Sequence, residues 1–162
     1  KPSSTASDVY PRQGLYISVV DIPRRIVVDH FLETELRIEE KITAAYDLKL
    51  VAGDETYVLE TVESILADIP EEFSLSQNYP NPFNPLTHLN FALPRRSRVV
   101  LTIYNMLGQE VITLINKELD YGYHSVIWRG IDSFGYPVAS GVYFSELRSA
   151  GIRKTRKMLL LK

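Results

Sequence analysis

The sequence contains no cysteine, only two methionines and a single tryptophan. The lack of cysteine excludes disulfide bonds and thiolate zinc sites. It does not argue against secretion, because a β-sandwich of this size can be stable without disulfides. No run of about 18 apolar residues occurs, so no helix is predicted to span a bilayer. The chain begins Lys1-Pro2-Ser3, without an initiating methionine, and we interpret it as a processed form or a fragment.

Arrangements of residues that carry catalysis are also missing. No Ser/His/Asp order, phosphate-binding loop or carboxylate pair can be recognised. The three histidines have no partners at metal-ligand spacing, and we interpret each as a strand residue: His30, His88 and His124. The sequence therefore predicts a protein that is not an enzyme and that has no cofactor or metal.

Two sets of acidic residues leave a cation as an alternative. Glu33, Glu35 and Glu39 fall on one face of a predicted strand. A solvated surface is the simpler interpretation, and weak calcium binding is the alternative. Asp132 lies in the stretch Trp-x-Gly-x-Asp-x-x-Gly, where it is predicted to cap its own turn, again with a cation site as the alternative.

The two halves of the chain carry opposite charge. Residues 1–72 contain seven Lys/Arg and fifteen Asp/Glu, a net charge of −8, whereas residues 73–162 contain eleven and five, a net charge of +6. This asymmetry suggests either two units that attract each other or a neighbouring copy, or simply two solvated surfaces. The basic residues are spread over several predicted strands, so no nucleic-acid partner is expected.

Four regions can be separated in the sequence. Residues 1–13 form a polar arm, 14–66 a small β-domain or extended β-ribbon, 67–85 an acidic and Pro/Asn-rich linker, and 86–162 a β-sandwich. In the second region, strands are predicted near 15–19 and 26–28, and apolar residues alternate with polar ones from 32 to 50. A turn at 52–55 then predicts a hairpin partner at 56–62.

The last region has the pattern of an all-β fold. Six short apolar stretches, at 88–93, 98–105, 110–116, 124–129, 142–148 and 154–161, are separated by turn signals. Trp128 is the predicted core anchor. Residues 78–85 contain three prolines, which make the segment stiff and extended. Tyr79 and Phe83 are free to dock from it onto the following domain.

Several blocks of this region resemble one family. The blocks are Phe73 to Pro85 (FSLSQNYPNPFNP), Ile103 to Val111 (IYNMLGQEV), Pro137 to Phe144 (PVASGVYF) and the final Arg156 to Lys162 (RKMLLLK). Together with Trp128 they are similar to the C-terminal sorting domain of the type IX secretion system, over about residues 73–162. This family is itself similar to the immunoglobulin-like domain of the flagellar hook-capping protein. Residues 86–89 (LTHL) depart from its pattern, which more often has small hydroxyl residues there.

The resemblance implies a function in export. Such a domain takes a folded cargo through the outer membrane, so the expected partner is the outer-membrane secretion machinery and the expected location is extracellular or at the outer cell surface. The implied export signal is the C-terminal block: Arg156, Lys157, Met158, Leu159, Leu160, Leu161 and Lys162.

Two alternatives to a pure export tail are open. The chain could be a structural subunit of an extracellular assembly that retains the domain and contacts copies of itself, as the alternating ribbon and the opposite charges suggest. It could also be a carbohydrate-binding module of a larger secreted enzyme. That function needs several tyrosines on one exposed face, and the candidates are Tyr16, Tyr121, Tyr123 and Tyr136.

Overall fold

The computed structural model of the chain describes residues 16–22, 24–30 and 48–162. The chain divides into two compact units, Lys1–Asp68 and Ile69–Lys162. The predicted arm at 1–13 and the alternating stretch up to residue 47 lie outside the described residues, as do Glu33, Glu35 and Glu39 and the side chain of His30. The second unit includes most of the stretch at 67–85 that the sequence suggested as a linker.

The first unit contains a three-stranded antiparallel sheet of β1 (Tyr16–Asp21), β2 (Ile26–His30) and β3 (Leu48–Gly53). The strand order in this sheet is β2-β1-β3. Its central strand β1 places Val20 between Val27 of β2 and Lys49 of β3. Val20 and Ile22 are completely buried. The strands predicted near 15–19 and 26–28 are thus confirmed as β1 and β2.

The predicted hairpin partner at 56–62 is wrong, because helix α1 occupies Glu55–Ala67. Asp54 is the N-cap of this helix, and its Oδ1 accepts a hydrogen bond of 2.9 Å from the backbone N–H of Tyr57. Val58 and Val62 lie one turn apart and are both buried. The strand-favouring residues at 56–58 concealed this helical spacing, and Gly53-Asp54 looked like a turn when Asp54 is in fact a cap.

The second unit is the predicted sandwich. Its strands are β4 Ser74–Leu75, β5 Thr87–Leu93, β6 Ser97–Asn105, β7 Glu110–Leu119, β8 Gly122–Trp128, β9 Gly141–Ser149 and β10 Ile152–Leu160. One sheet has the strand order β10-β9-β6-β7 and the other has the order β4-β5-β8, and all neighbours are antiparallel. All six predicted strands are confirmed; β4 is too short for the sequence to show.

The core of the sandwich lies between the two sheets. Alternate residues of each strand point inward, as Val99, Leu101 and Ile103 of β6 and Leu89 and Leu93 of β5 illustrate, and all five are completely buried. The all-β prediction is therefore confirmed for this unit. Among the described residues, no helix is long and apolar enough to cross a membrane.

Candidate functional site at the end of the C-terminal strand

Trp128, the last residue of β8, is completely buried and ties three parts of the sandwich together. Its ring centroid lies 5.1 Å from that of Tyr143 on β9, in an edge-to-face arrangement, and 5.5 Å from that of Phe83. Its Nε1–H donates a 2.9 Å hydrogen bond to the carbonyl of Ile131. The predicted anchor therefore fixes the start of the β8–β9 loop (residues 129–140) as well as the core.

Residues 78–85, which we name the proline segment, fold back onto the start of β5. The buried amide of Asn78 donates 2.9 Å hydrogen bonds to the carbonyl of Pro80 and to Oγ1 of Thr87. Tyr79 exchanges two backbone hydrogen bonds with His88, of 3.0 and 2.8 Å. Asn78 and Tyr79 thus supply hydrogen-bond donors that the prolines, which lack a backbone N–H, cannot supply. The peptide bonds before Pro80 and Pro82 are cis.

Of the two aromatic residues expected to dock from this segment, only one does so. Phe83 is 2% exposed and packs on Trp128, whereas the side chain of Tyr79 is 76% exposed. The proline segment is therefore part of the sandwich, attached to its core by Phe83.

The proline segment also pairs with the C-terminal segment, residues 156–162. The backbone N–H of Phe83 donates to the carbonyl of Leu159 (3.0 Å), and the N–H of Leu161 donates to the carbonyl of Phe83 (2.9 Å). Oδ1 of Asn81 accepts from the N–H of Leu159 (3.0 Å). Just before the segment, Nε2 of Gln77 donates to the carbonyl of Lys157 (2.8 Å). The outer edge of β10 is closed by these bonds from residue 157 to residue 161.

The C-terminal segment exposes only part of its sequence. Met158 and Leu160 are completely buried, while Leu161 is 49% exposed. Lys157 is exposed, and so is Lys162, whose backbone N–H donates a 3.1 Å hydrogen bond to Oγ of Ser140 and whose Nζ donates to the carbonyl of Val138. The predicted export signal is thus a strand whose buried and exposed residues alternate.

Arg156 of this segment is exposed and also hydrogen-bonded to the other sheet. Its residue is exposed overall, but Nε donates a 2.8 Å hydrogen bond to the carbonyl of Leu75 on β4. The guanidinium therefore links the two sheets along one side of the sandwich.

The β8–β9 loop is built around Asp132, which caps its own turn as the sequence predicted. Oδ1 of Asp132 accepts 2.9 Å hydrogen bonds from the N–H groups of Phe134 and Tyr136. In the described part of the chain, no three His, Cys, Asp or Glu residues are grouped so that they could hold a metal ion. The capped turn leaves the side chains of Phe134 and Tyr136 82% and 69% exposed.

The same loop is fastened to the strands on either side. The N–H of Ser133 donates to the carbonyl of Val111 on β7 (3.0 Å), and the hydroxyl of Tyr143 donates to the carbonyl of Ala139 (2.7 Å). Gly130 has a φ of +63°, and a Cβ there would lie 3.2 Å from the carbonyl oxygen of Pro85. A side chain at position 130 would therefore strain the backbone and press against the proline segment.

The β6–β7 turn reaches this same end of the sandwich, because Asn105 pairs with Tyr143 in the register of β6 and β9. Oδ1 of Asn105 accepts hydrogen bonds from the N–H groups of Leu107 (2.9 Å) and Gln109 (3.0 Å). The four sequence blocks therefore meet at one end of the sandwich, which we name the motif end: the proline segment, the β6–β7 turn, the β8–β9 loop and the C-terminal segment.

The remaining candidates from the sequence do not form a site. His124 stacks on Phe91 with a centroid distance of 5.2 Å, and its Nε2 lies 2.9 Å from the carbonyl oxygen of Asp120. Tyr123 is exposed near the start of β8, whereas Tyr136 follows the end of that strand. Of the other two candidate tyrosines, Tyr121 is half-buried and Tyr16 belongs to the first unit.

Comparison with known proteins agrees with this arrangement. The model of the family described as "Secretion system C-terminal sorting domain" matches residues 77–161. The chain belongs to this family. Its match begins at Gln77 and ends at Leu161, and both residues take part in the hydrogen bonds between residues 77–83 and the C-terminal segment. A sorting tail of the type IX system implies export to the cell surface or the extracellular space.

Two solved structures from Porphyromonas gingivalis are similar to parts of the chain. PorZ, a surface component of the type-IX secretion system, is 19% identical over 55% of this chain, with a TM-score of 0.39. Dimeric latent PorU is 15% identical over 91% of this chain, with a TM-score of 0.45. The chain spans 12% of the length of each. None of the curated proteins matches it.

Removing the indole of Trp128 is expected to destabilise the sandwich. Trp128→Ala leaves a cavity between Phe83 and Tyr143 and should lower the free energy of unfolding by about 3–5 kcal/mol. Trp128→Phe keeps a ring but leaves the carbonyl of Ile131 without its donor, and should cost less. Urea unfolding monitored by circular dichroism measures both. Equal losses for the two variants would contradict a packing role.

The stability of the sandwich should depend on Tyr143 at alkaline pH. Burial raises the pKa of Tyr143 above its ordinary value of 10.0. Above pH 10 the unfolded chain loses this proton while the folded chain keeps it, so stability falls as the pH rises. Tyr143→Phe lacks this loss, and its urea midpoint should improve relative to the wild type between pH 9 and 11. A difference that does not change with pH would contradict the assignment.

Proposed function

We propose that this chain is the C-terminal part of a non-catalytic surface or secreted protein, and that the outer-membrane secretion machinery recognises its sorting domain in the folded state. The observation that carries the proposal is the alternating burial of residues 156–162 beneath the proline segment. Met158 and Leu160 fill the core, so in the folded domain only their neighbours can contact another protein.

The exposed part of the signal has a definite chemistry. Lys157 and Lys162 carry positive charge, and Leu161 adds an exposed apolar side chain between them. The backbone of the segment is already paired on both edges, by β9 as far as Leu160 on one side and by the proline segment as far as Leu161 on the other. The machinery would therefore recognise side chains on a strand that is already fixed in place, and not an extended peptide.

The proposal that the protein is not an enzyme rests on how its polar groups are used at the motif end. The carboxylate of Asp132 caps a turn, the hydroxyl of Tyr143 donates to a backbone carbonyl, and the amide of Asn105 closes the β6–β7 turn. Each of these groups has a structural partner, which leaves none of the three arranged as a nucleophile with its base.

The test is export of surface variants from a bacterium that has a type IX system. Lys157→Glu combined with Leu161→Glu changes only exposed side chains, so the domain should still fold. The variant should remain in the periplasm, and its amount in the medium or on the cell surface should fall at least tenfold. Lys117→Glu on β7 repeats the Lys157→Glu substitution at an exposed position away from the segment and should be exported normally.

Truncation completes the experiment. A chain that lacks residues 157–162 should also stay in the periplasm, but circular dichroism should show that it has lost stability, because Met158 and Leu160 are gone. Normal export of the folded double variant would overturn recognition of the exposed side chains. Normal export of the truncated chain would overturn the export function of the segment itself.

A further inference from the structure

The sandwich has four edge strands, and three of them are protected against pairing with another strand. β4 has only two residues, β7 is irregular where its register with β6 shifts at two places, and β10 is closed by the proline segment. The uncovered part of β10 carries Lys154 opposite the buried Leu147, so a charged residue lies on its inner face. Short length, bulges, covering segments and inward charges are the devices by which proteins protect sheet edges.

The fourth edge, β8, shows none of these devices among the residues that the structure describes. Its seven residues contain no proline and no Lys, Arg, Asp or Glu, and its register with β5 is unbroken from Gly122 to Trp128. Tyr123 and Ile127 are 72% and 41% exposed on its outer face, with the exposed Ser125 between them.

The backbone groups on the outer edge of β8 find no strand to pair with in the described part of the chain. His88 and Asn90 of β5 direct their backbone bonds toward Tyr79 and Ser76, on the far side from β8. The ladder between β5 and β8 therefore uses the even-numbered residues of β8. The N–H and C=O groups of its odd-numbered residues point outward, and no other strand of the described chain pairs with them: Tyr123, Ser125 and Ile127.

We propose that β8 pairs antiparallel with β8 of a second copy of this chain, with Ser125 on the two-fold axis. Tyr123 of each copy then lies opposite Ile127 of the other, an aromatic and β-branched pair that stabilises antiparallel sheets. The three outward residues of each strand would exchange about six backbone hydrogen bonds. The two three-stranded sheets become one continuous sheet.

The charges near this edge favour a second copy as the occupant. The middle of β8 is uncharged, and the nearest charged residues on its own chain segment are Asp120 before it and Arg129 after it. Antiparallel pairing about Ser125 brings Asp120 of one copy next to Arg129 of the other, at both ends of the interface. Asp120 also lies 3.6 Å from Arg96, which leaves its second oxygen for the partner's guanidinium. The opposite charges of Asp120 and Arg129 therefore meet at both ends of the interface.

The test is the oligomeric state of the whole chain by sedimentation velocity. The wild type should show a monomer–dimer equilibrium, and Ser125→Lys or Ser125→Glu should each raise its dissociation constant at least tenfold, because two like charges then face each other on the axis. An equimolar mixture of these two variants should associate again as a heterodimer. Ser125→Thr keeps the strand uncharged and should dimerise like the wild type.

Each other outcome counts against the proposal. A wild type that stays monomeric at 100 µM overturns it, as does a dimer that both charged variants leave unchanged, since that dimer uses another surface. Variants that stay monomeric when mixed would mean that position 125 is not on the axis. Circular dichroism of each variant shows that the exposed substitution has left the fold intact. Export is not measured in this experiment, so its result is independent of the proposed function.

Discussion

The arrangement of the sorting domain depends on a short backbone pairing between Phe83 and the residues around Leu160. This pairing is extended by the side chain of Asn81, whose Oδ1 accepts a hydrogen bond from the N–H of Leu159, 78 residues further along the chain. Phe83 contributes twice, since its backbone closes the edge of β10 while its ring packs on Trp128. Loss of this contact would uncover the last strand and open the core at the same time.

The pairing explains why the blocks of the sequence that resemble the family are found where they are. The proline segment covers the strand that carries the proposed export signal, and the β8–β9 loop holds the proline segment through the close approach of Gly130 to Pro85. Lys162 in turn contacts Ser140 and Val138 of that loop. Each block therefore stabilises the position of another, and the proposed signal forms one face of a folded domain.

The sequence predicts the strands well because burial on one face of a sheet imposes alternation, as in Val99, Leu101 and Ile103. It predicts Trp128 because a single large aromatic in such a pattern is best placed in the core. It does not show the partners of Asn81 or Gln77, since hydrogen bonds between distant segments leave no periodic pattern. Helix α1 was missed because its strand-favouring residues conceal the spacing of Val58 and Val62.

The central claim is that the C-terminal segment, the proposed export signal, is a strand held in place by the proline segment. Hydrogen exchange of individual backbone amides, followed by NMR, tests it most directly. The amides of Leu159 and Leu161 donate to the proline segment and should exchange far more slowly than the outward-facing amide of Thr155 on the uncovered part of β10. Exchange of Leu159 and Leu161 as rapid as that of Thr155 would contradict the account.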